Sequence, residues 1–116
     1  MKEEILKGGS LDGESIPLGS AFSVFYDSPD TNRIKTEFTI VPLNGKITLK
    51  YVDGVYDILH VNLYDTRSDE YIQCGTITKK DKYIVFSNLS GAYSYYFEIE
   101  FDDTNEDSGI VLGFSG

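Results

Sequence analysis

Tyr93-Ser94-Tyr95-Tyr96-Phe97-Glu98-Ile99-Glu100-Phe101 carries the pattern that decides the fold. Successive side chains in a strand point to opposite sides, so Tyr95, Phe97, Ile99 and Phe101 share one face. Ser94, Tyr96, Glu98 and Glu100 share the other. One face is apolar and the other polar, which is the signature of a strand buried on one side only.

The same alternation recurs on both sides of this stretch. Phe22, Val24 and Tyr26 alternate with Ser23 and Phe25, and Ile34, Thr36, Phe38 and Ile40 alternate with Lys35, Glu37 and Thr39. Pro42 should halt that ladder, and Asn44-Gly45 is a strong hairpin signal leading into Ile47, Leu49 and Tyr51. Asp53-Gly54 turns into Tyr56–Tyr64, where Leu59, Val61 and Leu63 oppose Ile58, His60, Asn62 and Tyr64. Polar turns at 65–69 and 79–81 bound two further strands, one of which places Val85 inward, and Ile110-Val111-Leu112 supplies a last short one. About seven or eight strands at near-regular spacing, with no helical pattern, predict an all-β antiparallel sandwich of jelly-roll type. The expected inward set is Phe38, Ile40, Ile47, Leu49, Leu59, Val61, Leu63, Val85, Tyr95, Phe97 and Ile99. Residues 1–14, with Gly8-Gly9-Ser10 and Asp12-Gly13, read as a flexible lead-in to a single domain over 15–116.

Leu63-Tyr64-Asp65 and the closing Gly91-Ala92-Tyr93 resemble the corresponding runs of bacterial jelly-roll accessory modules, the pre-peptidase C-terminal type among them. The resemblance spans residues 34–101 and is one of architecture. It implies a non-catalytic appendage.

The bulk composition narrows the partners. At 116 residues and 41% hydrophobic content the chain buries a core without disulfides or metal. Ten basic against 19 acidic residues give a net charge of −9, which disfavours nucleic acid and anionic lipid. No apolar run approaches the roughly 20 residues of a membrane helix, and residues 1–7 lack the apolar run of a signal peptide. Cys74 is the only cysteine, so no intrachain disulfide forms. That fits a bacterial exported chain and fits a cytosolic one equally well.

Chemistry-bearing residues are sparse. His60 is the only histidine, and no Gly-x-Ser-x-Gly or other catalytic motif accompanies it, so it reads as a strand-surface histidine. Cys74 reads as core packing. Asp102, Asp103, Asn105 and Asp107 form an acidic loop without the layout of a calcium-binding EF-hand, with Asp27, Asp30 and Asn32 as a weaker oxygen set. At most a weak calcium site is expected there, with no functional metal and no cofactor. Asn88-Leu89-Ser90 matches a glycosylation sequon.

What remains is a polar sheet face. Tyr64 and Tyr96 point outward by alternation, and with His60, Asn62 and Glu98 they form a tyrosine-bearing surface if their two strands are neighbours. Such a surface binds a protein through tyrosine anchors or a carbohydrate through ring stacking, although the absence of tryptophan weakens the latter. The expected function is a binding or interaction module of a bacterial exported or cell-surface protein. The competing expectation is an acidic inhibitor or immunity-type protein that meets a basic partner.

Overall fold

The computed structural model describes residues 4–7, 15–18, 21–27, 33–36, 38–54, 56–68, 70–101 and 109–116, with backbone alone for 4–7, 15–18, 27 and 109. These residues form strands and connections with no helix. The strands are β1 (Glu4–Lys7), β2 (Ser15–Leu18), β3 (Phe22–Asp27), β4 (Arg33–Lys35), β5 (Thr39–Pro42), β6 (Ile47–Asp53), β7 (Ile58–Asp65), β8 (Tyr71–Thr78), β9 (Tyr83–Phe86), β10 (Tyr95–Glu100) and β11 (Gly109–Ser115).

Two sheets pack face to face. The first runs β1-β3-β11-β6-β9 and the second β2-β5-β10-β7-β8, with β4 also paired to β10. Pairing is antiparallel except at one edge of each sheet, where β1 joins β3 and β2 joins β5 in parallel. Counting β4 and β5 as one interrupted strand, eight strands build the sandwich, and all but one of their connections cross between the sheets. That crossing order is jelly-roll-like. The extra pair β1 and β2 caps the β3 and β5 edges, so the stretch read as a lead-in contributes Glu4–Lys7 as a paired strand.

The interruption between β4 and β5 has a local cause. The Phe97 amide donates to the Thr36 hydroxyl at 3.0 Å, while the Thr36 amide donates to the Phe97 carbonyl at 2.9 Å. The side-chain oxygen thus replaces a ladder acceptor, and Ile34, Thr36, Phe38 and Ile40 all stay buried on both sides of the break.

Asn44-Gly45 does not close a hairpin. β5 lies in the second sheet and β6 in the first, so the turn carries the chain across the sandwich. Pro42 lacks the amide that a continuing ladder requires. Gly45 sits at φ 75°, where a side chain is disfavoured, and its carbonyl accepts the Leu89 amide at 2.9 Å. The hairpin signal was a true turn signal, but turn chemistry does not specify the partner strand.

The core is a run of phenylalanines linking the sheets. Phe22 stacks on Phe114 at 5.3 Å, Phe38 meets both rings edge-on, and Phe97 bridges Phe114 at 5.6 Å and Phe86 at 5.4 Å. Ten of the eleven residues expected inward are buried. Val85 is the exception, at 54% exposure, because Phe86 takes the inward place on β9 and leaves Val85 on the opposite side of the pleat.

β8 departs most from expectation. Cys74 is exposed rather than buried, since Gly75 and Ile77 take the inward positions. A side chain at Gly75 would begin 1.8 Å from Cδ1 of Ile84, so the β9 isoleucine fills the space that residue 75 leaves. Gly75 is there for close approach.

Candidate functional site

β10 lies between β4 and β7, which brings the expected face together. The register pairs Tyr96 with Tyr64, Glu98 with Asn62, and Glu100 with His60. All five residues of the expected surface, Tyr64, Tyr96, Asn62, His60 and Glu98, therefore occupy the outer side of the second sheet. On the other flank Lys35 of β4 pairs with Glu98.

Three aromatic rings and a lysine form a row across four strands. Tyr64 and Tyr96 stack with centroids 4.9 Å apart and planes within 5° of parallel. Lys35 places Nζ 4.8 Å from the Tyr96 centroid, from the β4 side. Tyr71 of β8 meets Tyr64 edge-on at 6.4 Å. The sequence signals for Lys35 and Tyr71 were weak. Lys35 stands outward by alternation, but only the strand order makes it a neighbour of the pair.

Tyr71 reaches the row through an irregularity. The β7–β8 register shifts between Leu63 and Tyr64, so Tyr64 faces Tyr71 while Leu63 faces Gln73. A bulge of this kind re-aims a side chain, and here it returns Tyr71 to the outer face.

Below the row one guanidinium serves two carboxylates. Arg33 donates to Glu100 at 2.9 Å and approaches Glu98 at 3.8 Å. Desolvation raises the Tyr64 phenol above its ordinary value, with the neighbouring Glu98 and Tyr96 adding to the shift. The phenol is neutral at physiological pH, leaving Tyr64 able to donate a hydrogen bond.

A second cluster lies at the end of β7, next to Tyr64 in sequence. Asp65 ends β7 with its carboxylate buried, and the Arg67 guanidinium donates to it from Nε at 3.0 Å and from a terminal nitrogen. The Arg67 amide adds a bond at 2.9 Å. Arg67 then lies over the Tyr93 ring at 3.3 Å, tying the β7–β8 turn to the loop before β10.

The Arg67 hydrogen bonds hold the Asp65 carboxyl below the usual carboxylate range, against the opposing effect of burial. A depressed carboxylate contributes stability above its unfolded value and loses it as pH falls through the folded value. The window here lies below about pH 4. In melting curves from neutral to acid pH, the advantage of the native protein over Asp65→Asn is expected to shrink below that point. A difference that stays constant down to strongly acid pH would refute this role for the pair.

The remaining candidates stay apart. His60 is exposed on β7, with Glu100 as its cross-strand neighbour and Arg33 engaged by that carboxylate. The acidic stretch 102–107, the side chain of Asp27, Asp30 and Asn32 lie outside the described residues. Among the described residues no group of three or more His, Cys, Asp or Glu side chains is placed to hold a metal. A separate open cleft of about 390 Å³ lies against the first sheet, lined by Tyr51, Asp53, Gly54, Lys79 and Lys82. It shares no residue with the tyrosine row.

No protein-family model matches the sequence, and no curated protein matches it. Among solved structures the chain is similar to PliG of Aeromonas hydrophila, a periplasmic inhibitor of g-type lysozyme. The identity is 12%, the match covers 98% of each chain, and the TM-score is 0.51. A pre-peptidase C-terminal domain of a Bacillus anthracis collagenase matches with 13% identity over 98% of this chain and 93% of that one, at a TM-score of 0.39. At such identity the PliG likeness shows a shared β fold.

Proposed function

We propose that this domain is a non-catalytic protein-binding module of an exported bacterial protein, and that it contacts its partner through the outer face of the second sheet. The row Lys35–Tyr96–Tyr64–Tyr71 carries the reading. Its rings are already ordered against one another, so little side-chain freedom is left to lose on binding. Beside the row, Arg33 is shared between the carboxylates of Glu98 and Glu100.

The same geometry favours a protein over a sugar. Stacking on a sugar needs an open ring face, yet Tyr96 is covered by Tyr64 on the β7 side and by Lys35 on the β4 side. Edges and hydroxyls are what the row presents, and these suit a protein surface. The test is affinity capture with the native domain beside Tyr64→Ala and Tyr96→Ala domains. Proteins held by the native face and lost from both variants support the reading. Capture patterns that do not differ refute it.

A second reading rests on the net charge of −9 together with a fold shared with a periplasmic lysozyme inhibitor. An acidic inhibitor of a basic enzyme associates by electrostatic steering, so its association rate falls steeply with salt. Inhibition of a g-type lysozyme that weakens between low and physiological ionic strength is the expected sign. Absence of inhibition at low salt removes this reading and leaves the first untouched.

A further inference from the structure

We propose that the free edge of β8 pairs with β8 of a second copy of this chain, antiparallel and centred on Gly75, to make a symmetric dimer with one continuous sheet. A strand at a sheet edge presents unpaired amides and carbonyls, and proteins blunt such edges with short strands, proline, charge or bulges. Among the described residues, the other edge strands are β1, β2 and β9, of which β9 has four residues and β2 carries Pro17.

β8 is different. Tyr71-Ile72-Gln73-Cys74-Gly75-Thr76-Ile77-Thr78 is eight residues long and contains neither proline nor a charged residue. Among the described residues no strand pairs with its far side. Its one protective feature is the bulge near Ile72, which leaves Gln73–Thr78 regular. Tyr71, Ile72 and Cys74 are exposed beside this edge.

Charge selects a second copy as the occupant. Glu70 precedes the strand and Lys79-Lys80 follow it, all exposed. Antiparallel pairing centred on Gly75 sets Cys74 opposite Thr76 and brings Glu70 of each copy to the Lys79-Lys80 end of the other. The neutral strand thus has a negative start and a positive end, which complement each other only when two copies run in opposite directions. The centre on Gly75 also keeps the outer faces of both sheets on one side, so two tyrosine rows would share a surface. The inference does not depend on those rows binding anything.

Analytical ultracentrifugation across a concentration series reads the dimer directly. The native chain should dimerise reversibly, and Cys74→Lys with Thr76→Lys should abolish it by setting lysines opposite one another across the seam. Both positions are exposed on the outer face, so an unchanged circular dichroism spectrum confirms that the variant folds. Glu70→Lys should weaken the dimer by about fivefold, and adding Lys80→Glu should restore it. A short bis-maleimide should join two chains through Cys74, because diagonal neighbours across a strand pair lie about 7–8 Å apart. A chain that stays monomeric at every soluble concentration overturns the inference. So does a dimer that the two lysines leave intact.

Discussion

Replacing Phe97 with alanine is expected to cost about 3–5 kcal/mol of folding stability, the range for a buried phenylalanine. Phe97 is fully buried and its ring touches Phe86 and Phe114, which belong to the opposite sheet. Removing it opens a cavity at the junction of the sheets. Phe114 cannot collapse into that cavity without giving up its contacts with Phe22 and Phe38. Domains of this size are stable by about 5–15 kcal/mol, so the variant would keep only part of its margin. The measurement is urea denaturation, with a lower midpoint and an unchanged slope. A loss below about 1 kcal/mol would mean that the sheets do not meet at this ring.

Tyr96→Ala is expected to weaken partner binding by at least about 2 kcal/mol, or about thirtyfold in Kd, as truncation of a central aromatic anchor does. Its effect on folding should be smaller, about 1 kcal/mol, since the ring is half-buried and loses one stacking partner. Opposite rankings for the two variants separate the roles. Phe97 should dominate denaturation, and Tyr96 should dominate calorimetric titration against a captured partner. Tyr96→Phe keeps the stack with Tyr64 and removes only the hydroxyl, so the affinity it loses is the hydroxyl's share of the contact. An unchanged Kd for Tyr96→Ala would move the contact surface elsewhere on the domain.

Much of the architecture was legible in the residues. Strand positions and the inward face followed from alternation wherever a strand is buried on one side, as in β7 and β10, because the period of two leaves one solution. Thr36 shows the strength of that rule, since Ile34, Thr36, Phe38 and Ile40 kept one face across a break in the ladder. β8 and β9 failed it because they are edge strands with weak patterns. Gln73 and Gly75 sit on the inner side, Cys74 and Ile72 are exposed, and Ile84 supplies the bulk that Gly75 lacks.

For the site, the sequence alone placed Tyr64, Tyr96, His60, Asn62 and Glu98 on outward positions. It offered one histidine, one cysteine and no catalytic motif around either. It did not contain the strand order. Asn44-Gly45 shows why: a turn records the local backbone angles, whereas the choice of pairing strand is set by burial between segments far apart in the chain. Only the tertiary structure put β4, β10, β7 and β8 side by side, converting outward residues into the row Lys35–Tyr96–Tyr64–Tyr71. Which face a residue takes is a property of its own strand. Which residue stands beside it is a property of the whole fold, because the energy that selects the neighbour comes from a core to which every strand contributes.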